Sequence, residues 1–262
     1  MKENYIQQAE QILFAHKLSQ KLPQNIYSMH THGVYELIYF LSGDATCVIE
    51  ERKYKLKKGD LILVKPLQDH VIQIDGPADY ERYNILFDPE LHSVESVLLL
   101  PESTEVVNLA GNPMADQIFK RCDLYKEQSD ANTFQKLLLH LLNELFYNIS
   151  IFPQHSAVSH DAVSPLVANA LQYINDHLST ITDIDEIAQH LFVSKSNLFR
   201  CFKRELHQTP KRYITQKRLL LAKQRISQGE KPVEVYQSLG FRDYTTFYRN
   251  YLSHFGHTPS EQ

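Results

Sequence analysis

A chain of 262 residues exceeds the roughly 100–200 residues usual for one domain, so two domains are expected, each large enough to bury its own core. Hydrophobic residues make up 43% and charged residues 22%, with only 8 Gly and 11 Pro, which excludes a disordered, collagen-like or low-complexity chain. The net charge of −4 is uneven: residues 1–155 hold 14 Lys and Arg against 21 Asp and Glu, and residues 156–262 hold 13 against 10, so a polyanion is expected on the second half and a nonspecific packer of nucleic acid is disfavoured.

Met1 to Leu22 mixes Lys2, Glu3, Glu10, His16 and Lys17 with apolar residues and lacks the apolar core and cleavage site of a signal peptide. No later apolar run approaches the roughly 18 residues that span a bilayer, so neither export nor a membrane partner is expected. From Val34 to Phe87 short runs rich in Val, Ile, Tyr, Phe and Leu are broken by Ser42-Gly43-Asp44, Lys58-Gly59-Asp60, Pro66 and Gly76-Pro77, which predicts several short strands closing a barrel or sandwich. Alternation allows either Glu36, Ile38 and Phe40 or Tyr35, Leu37 and Tyr39 to face inward, and the neighbouring His residues favour the first set. Helices are predicted over 112–127 and 132–149, the second with Leu137, Leu138, Leu141, Leu142, Leu145 and Phe146 at helical spacing. That stripe fits packing on the barrel and packing on a second subunit equally well. Beyond Phe152, Pro153 and several Ser and His residues carry no apolar period, so 152–163 reads as a linker between domains 1–151 and 164–262. Cys47, Cys122 and Cys201 are odd in number and far apart, which suits buried thiols in the cytosol better than disulfides or a zinc knuckle.

The remainder reads as helices only. Ser164-Pro165 opens one with Val167, Ala170, Leu171, Ile174 and Leu178 on its buried face. Asp183 and Glu186 form a capping box for a helix to Leu191, and after the short turn Phe192-Val193 comes a helix capped by Ser194. Thr209-Pro210 starts a long rod to about Gln228, closed by Gly229. After Pro232 the pattern repeats: a short helix to Leu239, the turn Gly240-Phe241-Arg242, and a helix capped by Asp243.

The second helix of such a unit enters the major groove, so it needs an apolar inner face and an outer face of donors. In the first unit Leu198 and Phe202 turn inward, leaving Lys195, Ser196, Asn197, Arg200, Lys203 and Arg204 outside, with Arg200 as the base reader. In the second, Phe247 and Tyr251 anchor the helix while Tyr244, Thr245, Tyr248 and Arg249 face out, and Arg242 is placed for a phosphate. Either unit alone could be an ordinary solvated amphipathic helix; the tandem favours double-stranded DNA as the partner.

Residues 164–260 resemble the DNA-binding domain of the AraC/XylS family of bacterial transcription regulators. The resemblance rests on Ile187-Ala188, Ser194, the run Leu198 to Lys203, Tyr213, Arg218-Leu219, Ala222, Gly240-Phe241, Phe247, Arg249, Phe255-Gly256 and Thr258-Pro259. It implies seven helices, with the rod holding both recognition helices about 34 Å apart, one duplex turn. It also implies a homodimer, contact with RNA polymerase, a small-molecule effector and activation as the outcome. Phe192 departs from the pattern where Gly is usual, and Tyr236 replaces a small residue, which puts the geometry of the second unit in doubt.

In the first domain His30, His32, Glu36 and Gly43 have a spacing that resembles the first metal-binding motif of the cupin family, and Gly59, Pro66 and His70 resemble a shortened second. The fold class expected is therefore α+β multidomain: a cupin-like barrel with flanking helices, followed by an all-α domain with two helix-turn-helix units. Three uses of His30, His32, Glu36 and His70 stay open: a divalent metal, hydrogen bonds internal to the barrel, or an effector pocket walled by Tyr35, Tyr39, Phe40 and Ile72. A metal-dependent cupin enzyme fused to a helical tail is the alternative function. No Ser/His/Asp or Cys/His pair or phosphate-cradling loop stands out, so chemistry there would depend wholly on the metal.

Overall fold

The computed structural model describes residues 12–20, 29–101, 103–151, 158 and 160–261. Among the described residues nine strands form two sheets: β1 (Leu13–Ser19), β2 (Tyr35–Ser42), β3 (Ala45–Ile49), β4 (Arg52–Lys55), β5 (Asp60–Val64), β6 (His70–Ile74), β7 (Tyr80–Phe87), β8 (Val106–Asn108) and β9 (Asp161–Ala162). The neighbours run β1-β7-β2-β5-β8 in one sheet and β6-β3-β4-β9 in the other, every pair antiparallel. β1 lies outside the run of strands expected from Val34 to Phe87, because its edge position leaves LFAHKLS only partly buried and blurs the alternation.

Period-two alternation sorts these strands into layers. Ile38 and Phe40 of β2 meet Cys47 and Ile49 of β3, Ile62 and Val64 of β5, and Ile72 and Ile74 of β6 in the core between the sheets. Leu37 and Tyr39 turn the other way, under α1 (Pro113–Gln128) and α2 (Ala131–Ile151). The inward set is therefore Glu36, Ile38 and Phe40. Tyr35 and Tyr39 do not wall the barrel interior: Tyr39 stacks on Phe119 of α1 at 4.2 Å and donates its hydroxyl to Asp116, while Tyr35 stacks on Phe87. The stripe of α2 is used within the chain, with Leu138, Leu141, Leu142, Leu145 and Phe146 buried against the sheet, each contributing about 1.5–3 kcal/mol. All three cysteines are buried and free.

Six helices follow: α3 (Pro165–Asp176), α4 (Ile184–His190), α5 (Lys195–Leu206), α6 (Pro210–Ser227), α7 (Pro232–Ser238) and α8 (Tyr244–Phe255). The resemblance implies seven; after Gly256 the described chain makes only a turn. Local sequence sets the boundaries. Asp183 and Glu186 complete the capping box of α4, Ser194 accepts from the Asn197 amide to start α5, and Thr209 before Pro210 starts α6. Arg218 of α6 is buried and donates to three carbonyls, those of Leu178 (2.8 Å), Ile181 (2.6 Å) and Gly240 (2.8 Å), tying both helix-turn-helix units to the rod. Gly240 has φ +75°, and a Cβ there would stand 2.3 Å from the Ser179 carbonyl oxygen, so only glycine fits this turn.

Residues 152–157 and 159, more than half of the expected linker, lie outside the described residues. Its other end is not a free connector. β9 pairs with β4, the Val163 amide donates to the Glu51 carbonyl (2.8 Å), and the Val163 side chain is buried. Met29 and, from the outer face of the second sheet, Val48 and Val71 share one apolar core with Val163, Val167, Phe202, Leu206 and Tyr213. The second unit has a core of its own around Leu219, Ala222, Val235, Phe247, Tyr251 and Phe255.

Polar contacts close the junction. Glu205 near the end of α5 accepts from the amide and hydroxyl of Ser164 (both 2.8 Å), pairs with Arg204, and meets Lys53 of β4 at 3.3 Å. Burial alone would raise its carboxyl, but these donors and cations outweigh it and hold the pKa at about 2. A depressed carboxyl stabilises the fold fully above its unfolded value near 4.5 and loses that contribution as the pH falls through about 2. Glu205→Gln is therefore expected to flatten the acid-unfolding profile between those values, measured by circular dichroism against pH; an unchanged profile contradicts the assignment.

Candidate functional site

The two recognition helices match position by position. α5 and α8 each have 12 residues, each follows a side-chain cap that accepts from the amide three residues on, and each ends at a left-handed residue, His207 and Gly256. Leu198 and Phe202 on α5, and Phe247 and Tyr251 on α8, are buried as their spacing demands. Arg200 and Arg249 hold the same exposed place, the sixth residue of each helix.

The other expected contacts differ in how free they are. Ser196, Lys203, Arg242 and Thr245 are exposed. Lys195 sits between Asp183 (3.2 Å) and Asp185 (2.9 Å), and Arg204 is engaged with Glu205 (2.7 Å), so both already have carboxylate partners. Asn197 accepts from Arg200 (2.9 Å) and holds its guanidinium over the helix surface. Tyr244 and Tyr248 are half-buried, and Tyr244 packs on Phe247 at the rim of the core. Tyr236 stacks on Phe247 at that same rim, and α8 keeps its cap and length beside it. Phe192 adopts φ +55°, the glycine-like conformation of this turn, and leaves its ring 96% exposed beside the start of α5.

His30, His32, Glu36 and His70 do come together. One candidate ligand atom from each lies within 4.8 Å of the others; His32, Glu36 and His70 are buried and His30 is half-buried. Both His32 Nε2 (3.1 Å) and His70 Nε2 (2.8 Å) approach the same Glu36 oxygen. Their Nδ1 atoms contact the carbonyls of Val34 (2.9 Å) and Gln68 (3.1 Å). A carbonyl only accepts, so each Nδ1 carries hydrogen, and a neutral ring would aim its Nε2 lone pair at the carboxylate. The group is balanced when the imidazoles are protonated, or when a cation lies between nitrogens and carboxylate. Burial would raise the Glu36 carboxyl, yet the hydrogen bonds and charge of His32 and His70 hold it well below its ordinary range. Burial would lower His70, and Glu36 instead raises it.

Asn84 of β7 is a member of this group that spacing did not reveal. Its amide donates to the second Glu36 oxygen (2.7 Å), while its own side-chain oxygen is buried with no partner among the described residues. The available signal was a lone Asn inside the apolar run Tyr83 to Phe87, since buried polar groups ordinarily have partners.

Comparisons with known proteins agree with this arrangement. Residues 17–149 match the family model of the AraC-like ligand binding domain, and residues 187–262 match that of a helix-turn-helix domain. The chain is 26% identical to the uncharacterized HTH-type transcriptional regulator YbfI of Bacillus subtilis, covering 86% of this chain and 81% of that one. It is 25% identical to the lactose operon transcription activator of Staphylococcus xylosus over 63% of this chain and 57% of the relative, so that match spans little more than half the relative's length. It is 33% identical to regulatory protein SoxS of Salmonella typhimurium, over 37% of this chain and 91% of SoxS. With one model on the barrel and another on the helices, the chain belongs to the AraC family: it is a DNA-binding transcription regulator with an AraC-like ligand-binding domain.

Proposed function

We propose that this regulator reads duplex DNA through Arg200 and Arg249, with Ser196, Asn197, Lys203, Arg242, Thr245 and Tyr248 as flanking base and phosphate contacts, and that a small polar effector binds at His30, His32, Glu36, Asn84 and His70. The observation that carries the DNA reading is the matched pair of capped helices, each presenting an exposed arginine at its sixth residue. Activation is the outcome favoured, as the name of the lactose operon relative states for that protein. Promoter DNA, RNA polymerase and a second copy of the chain are the partners, and the cytosol is the compartment, consistent with three free buried thiols. The relatives are regulators, which favours a chain that is not an enzyme. No helix among the described residues is long and apolar enough to cross a membrane. The test is binding to fragments of the protein's own upstream region at physiological salt with excess random DNA. Binding that resists the competitor supports a specific regulator, and binding lost to the competitor with and without cell metabolites contradicts it.

A second reading of the barrel site is a divalent transition metal. The residues fit: three imidazoles and a carboxylate suit first-row metals, and the Val34 and Gln68 carbonyls fix the tautomers that leave Nε2 of His32 and His70 free to ligate. Ligands about 2.1 Å from a metal stand about 3–4 Å apart, and the candidate atoms here all lie within 4.8 Å of one another. When bound, the ion would supply a positive centre for an anionic or hydroxylated ligand. Purified full-length chain dialysed with zinc is expected to retain about one equivalent, and His32→Gln with His70→Gln is expected to retain none; equal retention by the variant rejects the site.

A further inference from the structure

The chain segments that build the barrel site also hold the first helix-turn-helix unit, with alternate residues serving each. On β6, His70 and Ile72 point into the barrel, whereas Val71 is buried in the core shared with α5 and α6. Gln73, two residues on from Val71, donates to the carbonyl of Glu205 at the end of α5 (2.7 Å). Asp69, next to His70, accepts from the Tyr213 hydroxyl (2.7 Å) and pairs with Lys217 (2.5 Å), both on α6. The partner segment does the same. His30 joins the His/Glu group, and its neighbour Met29 is buried against the helices and donates its amide to the Leu206 carbonyl (3.3 Å).

The two segments are themselves bonded. His30 and His70 exchange backbone hydrogen bonds of 3.0 and 2.9 Å as an isolated bridge. Glu50 fixes Asp69 from the β3–β4 turn, accepting from its amide (3.0 Å) and donating its own amide to the Asp69 carbonyl (2.8 Å). A displacement of His30 or His70 along its side-chain direction therefore moves Met29 and Asp69, one peptide away, with little slack.

We infer that occupancy of the His/Glu site is read by the DNA-binding helices through the paired segments Met29–His32 and Asp69–Gln73, with Asp69 as the positioning residue. This rests on the reading of that cluster as the ligand site. A ligand that draws the imidazoles and Glu36 to a common centre shifts Asp69 against Tyr213 and Lys217, and so changes how the start of α6 and the end of α5 are held. The second unit has a separate core and meets the first through the rod and at Gly240, whose backbone lies against the Ser179 carbonyl.

The experiment is hydrogen–deuterium exchange of the full-length chain, followed over 206–217 at the junction of α5 and α6. Zinc ion alone is the probe, with its affinity measured in parallel by calorimetry. Saturation is expected to change exchange of those amides by at least about fivefold, the lower end of ordinary coupling. In Asp69→Asn, which keeps all the proposed ligands, zinc affinity is expected to stay within about twofold while the response falls below about twofold. A ligand-free arm uses Glu36→Gln, which should alter the same amides in the wild-type background and not beside Asp69→Asn; His32→Gln replaces it if thermal melting shows that Glu36→Gln does not fold. Absence of zinc binding rejects the metal and leaves the ligand-free arm to decide the coupling. Amides that stay unchanged in that arm, or respond equally beside Asp69→Asn, overturn the inference.

Discussion

Arg218→Met is expected to lower the unfolding free energy of the chain by about 3–5 kcal/mol, since a buried carbonyl left without a donor costs about 1–3 kcal/mol and three lose their donor at once, that of Ile181 buried and those of Leu178 and Gly240 partly so. Those carbonyls belong to Leu178, Ile181 and Gly240, in the connections of two different units, so no single repacked side chain replaces the guanidinium. Burial pushes the Arg218 pKa down, yet an arginine starts so high that it stays charged. Methionine keeps most of the apolar volume and removes every donor, which separates the hydrogen bonds from packing. The readout is the urea midpoint with the slope held constant. A loss under about 1 kcal/mol, the net worth of one ordinary hydrogen bond, would mean that water replaces the side chain and that the clamp is ornamental.

The second large effect concerns DNA. Arg200→Ala and Arg249→Ala should each reduce discrimination between operator and random duplex by about 1–3 kcal/mol, the range for one bidentate arginine–guanine contact. Lys203→Ala should weaken both kinds of binding alike and reduce the salt slope by about 1, as a phosphate contact does. Lys195→Ala is the contrast: an ammonium held between Asp183 and Asp185 contributes little net charge to the duplex, so its removal should leave affinity nearly unchanged. Fluorescence anisotropy with both duplexes across a salt series measures all four variants. Intact discrimination in both arginine variants would place the reading surface elsewhere on the molecule.

The helical part was the most legible in the sequence because its signals are local. Ser194, Thr209 and Asp243 act on amides within three residues, so cap and helix start can be read together. The barrel was legible in class and in the facing of Glu36, Ile38 and Phe40, since His30 and His32 weigh the alternation one way. The facing of Tyr35 and Tyr39 is not legible in the same way, because an aromatic suits a ligand pocket and a helix-covered sheet equally well, and here they pack on Phe87 and Phe119. What no local pattern encodes is contact between distant segments. Asp69 reads as a turn residue before a strand, and its partner Tyr213 is 144 positions away. Asn84 is illegible for the same reason, being one polar residue on an apolar strand whose meaning depends on Glu36 of the neighbouring strand. Asp161 and Ala162, at the end of the linker, carry no strand preference of their own and pair with the free edge of β4.

The core that runs from Met29, Val48 and Val71 into Val167, Phe202, Leu206 and Tyr213 crosses the place where the sequence divides the molecule. A chain cut before Pro165 would give two pieces, each with a greasy scar and severed hydrogen bonds, and each prone to adhere to whatever apolar surface it met first. Produced together, the same pieces have a ready-made surface to recognise in one another. The helices beyond Leu219 close over their own interior and carry no such debt to the barrel.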